Sequence, residues 1–126
     1  MADLATTLLG KAKYSKVVSM LFNIRTNAHI AHLQSTSFSA HKALNDLYED
    51  ILEVADRFAE SAQKDGILNG YSLGELYSGN FVTFLESKYT ELIDCRKSIS
   101  ESHLLQILDD AQEIISSTIY KLKFLK

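Results

Sequence analysis

Histidine, asparagine, aspartate and glutamate side chains share one stripe of a single helical stretch of the chain. His41, Asn45, Asp56 and Glu60 fall within about 100° of one another on a helix that turns about 100° per residue. Imidazoles and carboxylates together suit iron, zinc or manganese. However, the 15 residues from His41 to Asp56 span about 22 Å of helix, so one chain alone cannot bring both ends to one ion.

An antiparallel pair of these helices from two copies of the chain removes that difficulty. When two identical antiparallel helices face each other across a two-fold axis, the residue numbers of any two facing residues add up to the same value. That sum is 101 for His41 with Glu60 and for Asn45 with Asp56, which places the axis near position 50. The spacing therefore predicts two equivalent metal sites shared between subunits. The competing interpretation is a solvated polar face, because these residue types are mostly exposed in proteins.

Two further histidines extend the candidate set of metal ligands. His29 and His32 share a helix face because they are three residues apart, and only a short turn separates that helix from His41. One or both would join His41 in the shared site, and a structural zinc clip of the three imidazoles is an alternative. We predict no catalytic residue apart from the metal ligands. The predicted ligands are His29, His32, His41, Asn45, Asp56 and Glu60.

Composition restricts the class of protein. The 126 residues, 46% of them apolar, fit a single domain over residues 1–126. A net charge of −3 and the lack of a lysine-rich tail argue against nucleic acid as a partner. Cys95 is the only cysteine, so no intramolecular disulfide can form. Because no apolar run reaches about 20 residues and the first residues lack signal-peptide order, we expect a cytoplasmic protein without a membrane span.

Apolar periodicity predicts an all-α fold of four helices. They are expected over about 4–33, 38–63 and 80–96, and from a capping box at Ser98–Glu101 to Leu122 or beyond. A second capping box, Ser72–Glu75, predicts a helical turn inside the glycine-rich link of residues 64–80. These lengths favour a four-helix bundle whose long link crosses the bundle in the ferritin-like manner, with a coiled-coil rod as the competing architecture. The first two helices are expected to bury Leu9, Val17, Leu21, Ile24, Ala28, Leu44, Leu47, Ile51, Val54, Ala55 and Phe58.

The stretch from His29 to Glu60 resembles the mini-ferritins known as Dps, DNA-binding proteins from starved cells. In that family one histidine ends the first helix and another begins the second, with an aspartate four residues later. An acidic D-x-x-x-E pair lies about four turns beyond the second histidine. Here His29 and His41 have the family spacing, and the segment from Asp56 to Glu60 supplies the acidic pair.

This resemblance implies a ferritin-like fold and the oxidation of Fe(II) by peroxide or oxygen. It also implies a homo-oligomer, at least a two-fold dimer and, in the Dps form, a twelve-subunit cage. Asn45 replaces the family's aspartate and Ile30 its tryptophan, so we expect weaker binding of a second metal ion, or one ion instead of two. The alternative is a non-enzymatic bundle that has kept the fold and the dimer but now binds a protein partner.

The stretch HLQSTSFSAHKALNDLYEDILEVADRF also resembles a group of small tailed-phage proteins. Their pattern is H-W-Q-T-K-S-Y-x-x-H-K-A, followed by L-Y-E-D-L and D-x-F. On that alignment His32 is the first histidine and Leu33 takes the place of the tryptophan, so both His29 and His32 remain candidates. This resemblance implies a trimmed ferritin-like fold and, for a phage-encoded protein, the host cytoplasm, but it does not settle the function. The non-enzymatic alternative would then be a phage accessory protein.

Overall fold

Four helices form nearly all of the regular structure. The computed structural model describes the backbone of residues 4–126 and the side chains of residues 10–126. Within this part the helices are α1 (Leu4–Gln34), α2 (Phe38–Ala62), α3 (Phe81–Arg96) and α4 (Ser102–Phe124). A short 3-10 turn, Gln63–Asp65, follows α2, and the described backbone contains no β-strand. The predicted all-α class with four helices is confirmed.

Side-chain caps fix where two of the helices begin. The Ser37 side chain accepts a hydrogen bond from the backbone N–H of Ala40 at 3.3 Å, at the start of α2. The Asn80 side chain accepts from the N–H of Thr83 at 3.1 Å, at the start of α3. Both caps satisfy backbone donors that a helix leaves unpaired in its first turn.

The capping box predicted at the start of α4 is wrong. The Ser98 hydroxyl donates instead to the carbonyl of Cys95 at 2.9 Å, in the turn that ends α3. Glu101 is the N-cap residue of α4 and makes no side-chain cap bond there. Its carboxylate accepts hydrogen bonds from the Tyr14 hydroxyl of α1 and from Ser100, not from the Ser98 N–H that a capping box requires.

The helical turn predicted over Ser72–Glu75 is also wrong. Residues 66–80, which we call the strap, have an irregular backbone and lie along α1. The N–H of Ser72 donates to the Ser19 hydroxyl at 3.0 Å, and the carbonyl of Glu75 accepts from Asn27 at 3.1 Å. These bonds attach the strap to α1 in place of the predicted helical turn. Gly74, at φ +72°, adopts a left-handed conformation that suits glycine.

The helices surround one apolar core in the order α1, α2, α4, α3. Each packs against its two neighbours in this order, so α1 and α4, and likewise α2 and α3, lie diagonally across the core. The α1–α2 pair is the most extensive contact and the α1–α3 pair the least. Leu9 lies outside the described side chains. The other ten residues expected in the core from the first two helices are buried: Val17, Leu21, Ile24, Ala28, Leu44, Leu47, Ile51, Val54, Ala55 and Phe58.

A hydrogen bond from Tyr14 to Glu101 ties the N-terminal half of α1 to the start of α4. This bond raises the pKa of Tyr14 from 10.0 to about 12, with further contributions from burial and from the Glu101 charge. The same bond lowers the pKa of the Glu101 carboxyl below its usual 4.5. The bond therefore requires an ionised carboxylate and a protonated phenol.

Replacing Tyr14 by phenylalanine is expected to remove a pH-dependent part of the stability. The lowered pKa of Glu101 stabilises the fold above the ordinary carboxyl pKa, and this contribution is lost as the pH falls through the lowered value. The raised pKa of Tyr14 stabilises the fold below pH 10.0, and this contribution is lost as the pH rises towards 12. Because both groups are partly exposed, the difference from wild type should be about 1 kcal/mol between these limits.

Urea unfolding of wild type and Tyr14→Phe at acidic, neutral and alkaline pH measures this difference. Tyr120→Phe, at an exposed tyrosine of α4, is the matched control and should follow wild type at every pH. A Tyr14→Phe difference that stays constant across the pH range would show that the bond to Glu101 contributes nothing through ionisation.

Candidate functional site

Four of the six predicted metal ligands lie around the turn between α1 and α2. His29 and His32 belong to the last two turns of α1, and His41 and Asn45 to the first turns of α2. Only residues 35–37 separate the two helices. The short turn therefore brings the imidazoles together, as the sequence predicts.

His32 and His41 form a reciprocal pair. Their rings stack with centroids 3.7 Å apart and planes 26° apart. Nδ1 of His32 lies 2.8 Å from the carbonyl oxygen of His41, and Nδ1 of His41 lies 3.1 Å from the carbonyl oxygen of His32. Since a carbonyl oxygen only accepts, both Nδ1 atoms carry the proton and donate it. The other nitrogen, Nε2, has a free lone pair whenever the ring is neutral.

His29 packs beside this pair through Tyr48. The His29 and Tyr48 rings stack with centroids 4.1 Å apart, and the His29 and His32 centroids are 6.0 Å apart. The Tyr48 hydroxyl donates to Oδ1 of Asn45 at 2.8 Å. The amide oxygen of Asn45, its only plausible metal-binding atom, is thus already engaged by a neighbour.

The acidic end of the stripe lies far from the histidines within one chain. Asp56 and Glu60 are exposed on the last turns of α2. Among the described residues, no group of three or more His, Cys, Asp or Glu side chains is arranged to hold a metal ion. The stacked rings explain part of this result, because the in-plane lone pairs of His32 and His41 do not converge on one point. Whether a second chain completes the site stays a prediction.

A row of buried polar side chains on α1 was not anticipated from the sequence. Ser15, Ser19, Asn23 and Asn27 recur every four residues and are all buried, and we call them the polar ladder. The asparagines hold the strap: Asn23 Nδ2 donates to the carbonyl of Glu75 at 2.9 Å, and Asn27 Oδ1 accepts from the strap backbone at 2.7 Å. The spacing of four residues in the sequence could have predicted the polar ladder, because it places small polar residues on one face of a helix.

Carboxylates dominate the surface between α2 and α4. Burial raises the pKa of Asp50, and the charges of Asp46, Glu53 and Glu49 raise it further. Closer to the C-terminal end of α2, one ion pair offsets this charge: Arg57 lies 3.2 Å from a carboxylate oxygen of α4. These carboxylates, Asp46, Glu49, Asp50 and Glu53, include none of the predicted metal ligands.

No helix in the described part of the chain is long and apolar enough to cross a membrane. Comparison with curated proteins and with solved structures found no match for the chain. One family model does match, over residues 32–122, and this range includes His32, His41, Asn45, Asp56 and Glu60 but not His29. Since the match covers well over half of its 126 residues, the chain belongs to the family of unknown function DUF5856.

Proposed function

We propose that this protein binds iron between two copies of the chain and oxidises it in the manner of a mini-ferritin. Each site would combine the histidine end of one α2 helix with the acidic end of its partner's α2. Iron is the substrate in this proposal: two Fe(II) ions lose one electron each, and hydrogen peroxide with two protons becomes two water molecules. Zinc or manganese would compete for the same ligands.

The anchored histidine pair is the observation that carries the proposal. Metal-binding histidines in proteins almost always donate the proton of their other ring nitrogen to a carbonyl or carboxylate. His32 and His41 both make this bond, to each other's backbone carbonyl, at 2.8 and 3.1 Å. In their neutral form, both rings therefore offer an Nε2 lone pair suited to Fe(II). Because the two ring planes are nearly parallel, the two Nε2 atoms would each bind a different iron ion. Binding of one shared ion would require one ring to rotate.

The exposed stripe of α2 supplies the rest of the proposed site. His41, Asp56 and Glu60 are exposed, and Leu52 lies between the two ends on the same side of the helix. Leu52 is 37% exposed and would add apolar contact area near the proposed two-fold axis of an antiparallel pair of α2 helices. The carboxylates of Asp56 and Glu60 would then face the imidazoles of the other subunit and bind Fe(III), which prefers hard oxygen ligands.

We further propose that the bundle has ferritin-like topology. The strap follows α1 from Ser19, which accepts from Ser72, to Gln34, which accepts a hydrogen bond from the Tyr77 hydroxyl at 3.1 Å. A link on this path carries the chain along the length of the bundle, so α2 and α3 run in the same direction. Such a crossover between the second and third helices is the mark of ferritin-like bundles.

A second candidate function is favoured by the state of Asn45. Its neutral amide stands where a carboxylate would bind metal, and its oxygen accepts from Tyr48. A bundle that has exchanged metal chemistry for binding to a protein partner would have this arrangement. In that case the α2 stripe would be a docking surface, and purified protein would bind no metal.

Cobalt(II) titration by calorimetry under anaerobic conditions tests the proposal, because Co(II) takes similar ligands and is not oxidised by traces of oxygen. Wild type should bind Co(II), and the double variant Asp56→Asn/Glu60→Gln should bind it at least tenfold more weakly, because the site loses both of its carboxylates. Asp109→Asn/Glu113→Gln removes an exposed acidic pair of the same spacing from α4 and should have no effect.

Equal Co(II) affinity in wild type and in the Asp56/Glu60 variant would refute the shared site. Dimers that bind no metal would instead support the second candidate. If wild type binds Co(II), we also expect it to oxidise Fe(II) in the presence of air and peroxide, measured as the rate of increase in Fe(III) absorbance. The same double variant should lose this activity.

A further inference from the structure

One asparagine of the strap is followed by a glycine. Of the five asparagines in the chain, Asn69 alone precedes a glycine, Gly70. An asparagine side chain loses ammonia when the backbone nitrogen of the next residue attacks its amide carbon. A glycine leaves that nitrogen unhindered because it has no Cβ. Whether the pair reacts then depends on how the fold holds the two groups.

Both reacting groups are accessible. Asn69 and Gly70 are exposed and lie in the irregular backbone between α2 and α3. Within the described part of the chain, neither the Asn69 side-chain amide nor the Gly70 N–H makes a hydrogen bond. Neither group therefore has to give up a bond to a described residue before the nitrogen reaches the amide carbon.

Anchors on either side of this pair hold the strap to the bundle. The N–H of Leu68 donates to Oε1 of Gln63 at 3.1 Å, and the Leu68 side chain is buried in the core. On the other side, the N–H of Ser72 donates to the Ser19 hydroxyl at 3.0 Å. Residues 69–71 thus form a short exposed segment whose two ends are fixed.

Two comparable positions nearby are held by hydrogen bonds. Asp65 also precedes a glycine and could form the same ring, but the N–H of Gly66 donates to a backbone carbonyl at 3.0 Å. Asn80 is exposed as Asn69 is, but its Oδ1 accepts from the N–H of Thr83 at 3.1 Å, and a bulky phenylalanine follows it. The structure therefore singles out Asn69 within this segment.

We propose that Asn69 is a site of spontaneous deamidation and that this modification loosens the strap. The Gly70 nitrogen loses its proton and bonds to Cγ of Asn69, the bond from Cγ to the amide nitrogen breaks, and ammonia leaves a cyclic succinimide. One water molecule then opens the ring at either carbonyl and gives aspartate or isoaspartate, with no oxidant or reductant. Isoaspartate has one more carbon in the backbone. Because Leu68 is held by its buried side chain, the extra length should disturb the anchor at Ser72, whose side chain is exposed.

Peptide mass spectrometry of the full chain, incubated for several days at physiological pH and temperature, tests the site. Aspartate and isoaspartate should accumulate at Asn69 at least about tenfold faster than at Asn80. Gly70→Ala should slow the reaction about tenfold, because its methyl group crowds the attacking nitrogen. Since Gly70 has φ +83°, thermal unfolding must first show that this variant keeps the fold. Asn69→Gln, which needs a larger ring for the same attack, carries no such strain and should also react at least about tenfold more slowly.

Hydrogen exchange measures the effect on the strap. The Ser72 N–H should exchange faster in incubated wild type than in fresh wild type. Fresh Asn69→Asp has the new charge without the extra backbone carbon and should exchange as fresh wild type does. Deamidation at Asn69 no faster than at Asn80, or an Asn69→Gln variant that reacts as fast as wild type, would overturn the site. An unchanged Ser72 exchange rate in protein that contains isoaspartate would overturn the loosening of the strap.

Discussion

Replacing Asn27 by alanine is expected to lower the free energy of unfolding by about 3 kcal/mol. Asn27 is 1% exposed and makes three hydrogen bonds. Its Nδ2 donates to the carbonyls of Asn23 at 2.8 Å and Glu75 at 3.1 Å, and its Oδ1 accepts from the N–H of Tyr77 at 2.7 Å. The substitution loses all three bonds and leaves a strap N–H without its acceptor.

Urea unfolding measures this change, and Asn69→Ala is the matched control. Asn69 is an exposed asparagine of the same strap, so its substitution should change the free energy by no more than about 0.5 kcal/mol. Hydrogen exchange should also quicken at the N–H groups of Ser72 and Tyr77 in Asn27→Ala, because the strap loses its attachment to α1. An Asn27 variant as stable as the control would show that the strap does not depend on the polar ladder.

Replacing Leu52 by glutamate is expected to separate the proposed dimer into monomers. This prediction rests on the proposed function, in which Leu52 lies near the two-fold axis between two antiparallel α2 helices. There the substitution places two like charges close together and removes an apolar contact from the centre of the interface. Such a change should weaken the dimer by at least 100-fold, about 2.7 kcal/mol. Helix content should stay unchanged, because Leu52 is 37% exposed in the single chain.

Light scattering over a range of concentrations measures the outcome. Leu73→Glu is the control, since Leu73 is 94% exposed on the strap and lies away from the α2 stripe. The control should keep the wild-type mass, and a twelve-subunit particle in wild type would favour a cage. If Leu52→Glu assembles as wild type does, or if wild type is itself a monomer, the α2 interface is wrong and the shared metal site fails with it.

The amino-acid sequence by itself determined the helices and most of the core. A helix repeats every 3.6 residues, so the spacing of apolar residues within one segment is enough to predict its buried face. The stripe from Leu44 to Phe58 is buried as this spacing predicts. The caps at Ser37 and Asn80 are local in the same sense. The closeness of His32 and His41 also followed from the sequence, because a turn of three residues leaves the two helix ends little freedom.

Only the tertiary structure decided what the polar groups bind. Two capping boxes were predicted from local spacing, yet Glu101 bonds to Tyr14, 87 residues away, and Ser72 to Ser19, 53 residues away. The ring stacking of the histidines and their bonds to backbone carbonyls likewise depend on how α1 and α2 pack. A polar side chain takes the partner that is nearest in space, and that partner is set by the packing of distant segments, which local periodicity does not encode.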